Sequence, residues 1–458
     1  MRALRAKVGG SEATLLTVGD PKQVITGFAM PIFLSQLFQQ LYNTADAWIV
    51  GKYLGDQAFA AVASSGSLIF LFISFFVGAS MGAGVVISRY FGAADAENVS
   101  KAVHTNVLLS LLSGLVLTAA GVILTPHILV WMRTDPDVLP QSTLYFRYYF
   151  LGAVSVVMYN SLKGVMSAVG DSKRPLYYLI FSSVLNVFLD WLFVGALGLD
   201  IRWAAIATTI AQTASVGLCL IQLCKKGTVY ALSWQKLRLS GSMLGQILRF
   251  GLPTGVQNSV IGLANVLVQS NINTFGDAAM AACGAYSKIE GFAFLPITSY
   301  SMALTTYIGQ NLGAKEYDRA RQGARFGILA SVVMAELIGF AVFFFAKPFI
   351  SAFVSKPESV QIGILQCRTE ALFFCMLSFS HCVAGICRGA GKAFVPMLVM
   401  LGVWCVFRIL YITVAMRLSH EIVLLFWAYP ITWMISSVIF LLYYLRSDWI
   451  HGFDRTVL

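Results

Sequence analysis

The stretch from Pro31 to Gly55 reads PIFLSQLFQQLYNTADAWIVGKYLG, an apolar and amide-rich run that contains one carboxylate, Asp46. A charged side chain at the centre of a membrane helix costs about 2.5 to 3.5 kcal/mol on insertion scales, so such residues usually face a cavity and carry function. The stretch therefore predicts a membrane helix with a functional carboxylate inside it.

The composition of the whole chain is that of an integral membrane protein. Of its 458 residues, 58% are hydrophobic and only 12% are charged, and the mean hydropathy is +0.75. Apolar runs of about 20 residues, each long enough to cross a hydrocarbon core of about 30 Å, recur along the sequence. Because helices satisfy their own backbone polar groups in lipid, the predicted fold is all-α with about twelve transmembrane helices. The predicted spans are residues 24–50, 58–87, 103–125, 141–163, 176–198, 203–223, 248–272, 279–308, 325–346, 360–386, 394–416 and 421–445.

The net charge of +11 is distributed along the chain in a way that indicates membrane topology. Lys and Arg cluster in alternate loops, and the positive-inside rule then predicts that both termini are cytoplasmic, in a multi-pass protein of the cell (inner) membrane. We expect no nucleic-acid partner. The eight cysteines show no CxxC or Cys/His ligand spacing and are interpreted as packing residues.

The two halves of the sequence repeat one pattern. RYFGAADAENVSK after the second span corresponds to QNLGAKEYDRARQ after the eighth, and GDSKRP corresponds to GKAFVP, both at a shift of 221 residues. Each repeat holds six spans, so the repeats are parallel, an arrangement typical of transporters with a cleft between two lobes. The predicted domains are residues 1–223 for the N-terminal lobe, 224–241 for a cytoplasmic linker and 242–458 for the C-terminal lobe.

Two acids fall at one predicted depth of the N-terminal lobe. Asp190 follows Asn186 by four residues, so both lie on one helix face. Spans one and five run outward and span six runs inward, which places Asp46, Asn186, Asp190 and Thr208 together in the outer leaflet. Two carboxylates with an amide and a hydroxyl suit a proton or a small hard cation such as Na⁺. The alternative is that each acid pairs separately with a hydroxyl or a lone cation for packing.

From the opening stretch through the paired RYFGA and QNLGA loops to GAGKAFVP, nearly the whole chain resembles the multidrug and toxic compound extrusion (MATE) transporter family. The resemblance implies twelve helices in two parallel six-helix bundles that form a V around a central cleft. The set Asp46, Asn186, Asp190 and Thr208 resembles the N-lobe cation site of the DinF-like branch. Pro31 resembles a first-helix proline at which bending is proposed to accompany ion binding, and the alternative is a proline in the first helical turn.

The C-terminal lobe lacks the matching acids. NorM-type members of the family carry an acid in the seventh helix and another in the tenth, whereas span seven here has none and span ten has only Glu370, toward its outer end. The resemblance therefore implies no ion site in this lobe. Lys288 and Glu290 in span eight either line the cleft or pair with Glu336 or Arg408.

These observations predict a secondary antiporter that exports organic, cationic and amphipathic compounds in exchange for inward H⁺ or Na⁺ by alternating access. The aromatic content of 13% and the 15 methionines suit a cleft for varied apolar cations. Expected cleft-lining residues are Asn43, Lys288, Glu290 and Tyr411. The alternative is an exporter or flippase of a lipid-linked or other anionic precursor. An enzyme is not expected because the chain has no HExxH motif. We also expect no cofactor besides the coupling ion, and a monomer in the bilayer.

Overall fold

The structure, a computed structural model, describes residues 15–131 and 139–451, and every regular element in these ranges is a helix. The first repeat contributes six long helical segments. They are α1 (Pro21–Leu54), α2 (Asp56–Gly92), α3 (Ala96–Trp131), α4 (Leu139–Leu151 and Ala153–Ala168), α5 (Lys173–Asp190, continued by the π-helical turn Trp191–Ala196) and α6 (Arg202–Leu223).

The second repeat contributes six more within the described residues, so the prediction of about twelve helices is confirmed. Beside them lies one short helix, Ala346–Ser351. The six are α7 (Gly241–Asn273), α8 (Asp277–Gly313), α9 (Tyr317–Phe344), α10 (Pro357–Glu370 and Phe374–Gly389, joined by the 3-10 turn Ala371–Phe373), α11 (Phe394–Met400, the π-helical turn Leu401–Phe407 and Arg408–Leu418) and α12 (Ile422–Arg446).

Nine of these helices in the described part of the chain are long and apolar enough to cross a membrane by length and hydropathy alone. The other three helices are α4, whose two parts have only 13 and 16 residues, and α7 and α8, which are rich in glycine and polar side chains.

The backbone repeats as closely as the sequence does. Gly55 and Gly276 share φ near +86° and +88° before α2 and α8, and Gly170 and Gly391 are both left-handed, all at the shift of 221 residues. The loops after α2 and α8 repeat as well, but their left-handed residue is Ala94 or Lys315. The chain therefore turns at a left-handed residue that lies two residues beyond Gly92 and Gly313, the last residues of α2 and α8.

The described chain packs as two compact units. Unit 1 contains Leu34–Gly255, and unit 2 contains Leu16–Phe33 together with the described residues from Val256 onward. The part of α1 up to Phe33 therefore belongs to unit 2 and the rest of α1 to unit 1. The part of α7 up to Gly255 belongs to unit 1 and the rest of α7 to unit 2. The division into lobes at residues 223 and 242 stays a prediction about the repeats.

The predicted linker is fixed to unit 1 by hydrogen bonds to α3. The backbone N–H of Ser233 donates to Nε2 of His104 at 3.0 Å, and the N–H of Ser240 donates to Oγ1 of Thr105 at 3.2 Å. His104 itself is 2% exposed. These contacts satisfy polar groups at the end of a membrane helix that would otherwise be costly to bury.

Within unit 2, α8 and α10 approach each other through small residues. A Cβ on Gly385 or Gly389 would lie 2.5 Å from the carbonyl oxygen of Ser301 or Thr305, respectively. The hydroxyl of Thr305 donates to the carbonyl of Gly385 at 3.0 Å. Glycines four residues apart allow such close backbone contact and interhelical hydrogen bonding, which is how membrane helices associate without a hydrophobic driving force.

We expect Gly385→Ala to destabilise the protein by about 1 to 3 kcal/mol, because the added methyl group meets backbone atoms that cannot move aside as a side chain can. The measurement is the thermal unfolding midpoint of the purified protein. Gly284→Ala is the matched control, since a Cβ at this position of α8 has no heavy atom within 4 Å. An equal midpoint for both variants would contradict the close approach.

Candidate functional site

The four residues predicted for the cation site lie together in unit 1. Asp46 is on α1, Asn186 and Asp190 are on α5, and Thr208 is on α6. The Asp46 and Asp190 carboxyl groups lie within hydrogen-bonding range of each other. Nδ2 of Asn186 donates to Oγ1 of Thr208 at 3.3 Å. Exposed fractions of 8% for Asp46, 2% for Asn186, 0% for Asp190 and 8% for Thr208 show that the whole set is buried.

Local helix geometry positions these side chains. Asn186 and Asp190 occupy successive turns of one face of α5, as their spacing predicts. Asp190 is the last α-helical residue before the π-helical turn Trp191–Ala196. Such turns are rare and are frequently found at functional sites, because the extra residue per turn re-aims the neighbouring side chains. The hydroxyl of Thr208 also donates to the carbonyl of Ala204 at 3.2 Å, which fixes its rotamer.

Three further residues complete the surroundings of the site. A narrow crevice beside the carboxyl pair is lined by Tyr42, Ser183 and Gln212 as well as by Asn186 and Thr208. The Tyr42 hydroxyl and the Gln212 amide are in hydrogen-bonding contact. The sequence contains a signal for Tyr42 and Gln212. Tyr42 precedes Asp46 by four residues and Gln212 follows Thr208 by four, so each shares a helix face with a predicted site residue.

Several buried oxygens of this site have no hydrogen-bond donor. Two ionised carboxylates offer no proton to each other, and the described residues supply no other donor to Oδ1 of Asp46, to either oxygen of Asp190 or to Oδ1 of Asn186. Oε1 of Gln212 and Oγ of Ser183 are also buried without a partner. An unsatisfied buried polar atom costs about 1 to 3 kcal/mol, so this set of oxygens favours a bound proton or cation.

No lysine or arginine forms an ion pair with Asp46 or Asp190 in the part of the chain that the structure describes. The alternative in which each acid has its own cation is therefore not seen. The described residues also hold no cluster of three or more His, Cys, Asp or Glu side chains with metal-binding geometry. The donor set that is present, carboxylate, amide and hydroxyl oxygens, fits a hard monovalent cation or a proton.

The structure also describes the other residues predicted from the sequence. Pro31 is inside α1, ten residues after the helix begins, so the first-turn alternative is wrong. Asn43 and Lys288 are exposed, and Tyr411 packs partly buried against the apolar cluster around Val268 and Ile412.

Glu290 lies in unit 2, where it interacts electrostatically with Arg408 and Glu370. Glu336 instead accepts a hydrogen bond from the backbone N–H of Cys375 at 3.2 Å. Of the partners considered for Glu290 from the sequence, the structure thus favours Arg408.

Comparison with known proteins agrees with this architecture. The chain is 28% identical over 431 residues to the probable multidrug resistance protein YoeA of Bacillus subtilis, covering 91% of this chain and 92% of that protein. It is 24% identical over 346 residues to the FAD transporter of Shewanella oneidensis, covering 74% and 76%. Among solved structures, a MOP superfamily transporter from Pyrococcus furiosus superposes with a TM-score of 0.90 over 97% of this chain and 99% of that chain, at 23% identity.

The family model MatE matches residues 31–192 and again residues 253–414. The two matches begin at Pro31 and Pro253, one in each repeat, and together they cover well over half of the chain. The chain therefore belongs to the MatE family, the multidrug and toxic compound extrusion transporters.

Proposed function

We propose that this protein is a secondary active antiporter that exports organic, cationic and amphipathic compounds in exchange for inward H⁺ or Na⁺ by alternating access. The coupling ion binds at Asp46, Asn186, Asp190 and Thr208. The observation that carries the proposal is the contact between two buried carboxyl groups that have no cation among the described residues and three oxygens without a donor, Oδ1 of Asp46 and both oxygens of Asp190.

Like charges in contact explain why such a site exchanges ions. Two buried carboxylates repel each other, and burial weakens the screening of that repulsion. A bound proton or Na⁺ reduces this repulsion. The site with a bound ion and the site without one therefore differ in the forces acting between α1 and α5. Pro31 lies within α1, where it removes a backbone hydrogen bond and allows the helix to bend in response.

The energy available limits the number of ions. One proton that moves inward down 100 mV and one pH unit releases about 3.7 kcal/mol, and a monovalent cation moved outward against 100 mV consumes about 2.3 kcal/mol. One-for-one exchange therefore supports only about tenfold accumulation. Two acids in one site allow more than one proton per cycle, and we propose this stoichiometry.

The membrane orientation follows from charge. By the positive-inside rule, the basic residues at the helix ends and loops after α2, α8 and α10 and in the linker support an orientation with both termini on the cytoplasmic side of the inner membrane. Each repeat carries its own set of six helices, so we propose that one chain is sufficient for transport. As a member of a transporter family the protein is expected to have no enzymatic activity.

An anionic substrate is the second candidate. One relative is named as an FAD transporter, and FAD is an anion. The chain contributes a cation within unit 1, Lys163 on α4, which forms no ion pair among the residues that the structure describes. Competition between a labelled organic cation and FAD for export distinguishes the two candidates.

Replacement of either acid tests the site. We expect Asp46→Asn and Asp190→Asn to reduce ion-driven uptake of a fluorescent organic cation by everted vesicles at least tenfold, because a single neutralised acid leaves no repulsion for the ion to relieve. Uptake is measured with an imposed pH gradient and, separately, with a Na⁺ gradient. Asp200→Asn is the matched control, because this acid lies in the α5–α6 loop and pairs with Arg202 at 2.5 Å. Full uptake by both Asp46→Asn and Asp190→Asn would discard the site.

Transport current tests the stoichiometry. With two or more protons exchanged per monovalent cation, each cycle moves net positive charge inward. In proteoliposomes whose interior represents the cytoplasm, a membrane potential alone is then expected to drive cation export in the absence of a pH gradient. Electroneutral export, with no response to the potential, would exclude the multi-proton version while leaving the site itself in place.

A further inference from the structure

A second pair of acids lies in unit 2, on α8 and α10. Glu370 is 0% exposed, and its two oxygens accept hydrogen bonds from the hydroxyl of Tyr286 at 3.0 Å and from Nε2 of Gln366 at 2.9 Å. Glu290 is half-buried and interacts electrostatically with Glu370. Tyr286 precedes Glu290 by four residues on one face of α8, so its hydrogen bond to Glu370 brings the two acids, from α8 and α10, to the same part of unit 2.

Arg408 on α11 supplies a positive charge to this pair. Its side chain is 2% exposed and interacts electrostatically with Glu290 and Glu370. No direct ion pair joins the guanidinium to either acid within the described chain. Arg408 therefore attracts the acids electrostatically without direct contact, and residues other than the acids must hold its guanidinium in place.

Neutral partners hold the guanidinium. One terminal nitrogen donates to Oγ1 of Thr432 at 2.9 Å, and the other reaches Oδ1 of Asn265 at a long 3.4 Å. The ring of Tyr429 lies 4.5 Å from the guanidinium carbon, and that of Trp404 lies 5.5 Å away. Nε remains buried without a partner. Cation–π contacts of this kind stabilise a desolvated cation without neutralising it.

The backbone before Arg408 is also unusual. The π-helical turn Leu401–Phe407 ends immediately before it, as Asp190 immediately precedes the π-helical turn of α5. Each unit therefore has a π-helical turn beside a buried charged residue, but the charge is an acid in unit 1 and a base in unit 2.

We propose that Arg408 is a resident counter-cation, and that Glu290 and Glu370 form a latent monovalent-cation site which this arginine keeps closed to exchangeable ions. In unit 1 two acids have no cation from the chain and must recruit one from solution. In unit 2 the chain provides the cation itself, as the Arg408 guanidinium, and this cation cannot exchange with ions in solution. Removal of the Arg408 charge leaves two uncompensated acids, one of them fully buried, a costly state that a solvent cation relieves.

The other described groups that interact electrostatically with Glu370, Glu290 or Arg408 are tyrosines and cysteines. They are Tyr286, Cys283, Cys367, Cys405 and Tyr429. None of them can replace the positive charge of an arginine, so the balance of the cluster depends on Arg408.

The test measures binding and does not depend on transport. The parent protein carries Asp46→Asn and Asp190→Asn, so that the site in unit 1 cannot contribute. Purified Arg408→Gln in this background is expected to gain a saturable rise of several degrees in unfolding midpoint with NaCl, relative to choline chloride at equal ionic strength. Bound ²²Na⁺ is expected to rise to about one equivalent, and adding Glu290→Gln is expected to abolish both effects.

Arg388→Gln is the matched control. Arg388 is a second buried arginine of unit 2, 6% exposed, whose guanidinium donates to Oγ of Ser301 and whose electrostatic neighbours include Cys382, Cys387 and His381. Loss of this charge uncovers no acid pair, so no Na⁺ dependence is expected. The same Na⁺ response in Arg388→Gln, or none in Arg408→Gln, would overturn the proposal.

A stability cycle covers the case in which Arg408→Gln folds poorly. Glu290→Gln with Glu370→Gln leaves Arg408 as an uncompensated buried cation, and the unfolding midpoint is expected to fall. Adding Arg408→Gln is then expected to raise the midpoint again, because the charge that caused the loss is gone. A further fall on adding Arg408→Gln would show that the acids and the arginine are not coupled through charge.

Discussion

The contact between Asp46 and Asp190 is the constraint on which the first unit depends. In the low-dielectric interior of a membrane protein, two carboxyl groups in contact cannot both stay ionised and unpaired without a large cost. The surrounding described residues do little to reduce that cost, because Oδ1 of Asp46, both oxygens of Asp190 and Oδ1 of Asn186 lack donors. Such an arrangement is unfavourable as pure packing, and it is useful where an ion must bind and leave.

The repeat shows how one backbone carries two different electrostatic designs. The left-handed residues Ala94 and Lys315 hold the same position in the two halves, so the turns are built alike. The charged groups do not follow that symmetry. The first unit pairs acids from α1 and α5, whereas the second brings acids from α8 and α10 near an arginine from α11. Backbone geometry is fixed by helix ends and small residues, and the buried charges are free to diverge on it.

Helix irregularity marks both charged clusters. An α-helix in lipid satisfies all its internal hydrogen bonds, and a π-helical turn gives up regularity for a change in side-chain direction. Asp190 ends the α-helical part of α5, and Arg408 begins the last part of α11. Tyr42 and Gln212 add a polar rim to the first cluster, and Tyr429 and Trp404 give the second an aromatic one.

The sequence by itself determined the membrane class, the number of helices, the repeat and the four residues Asp46, Asn186, Asp190 and Thr208. Hydropathy, a constant shift and the i, i+4 period are properties of the chain alone, so they can be read before folding. Only the tertiary structure decided that Pro31 lies inside its helix and that Glu290 and Glu370 lie near Arg408. Contacts between helices depend on crossing points and on irregular turns, and neither has a period in the sequence.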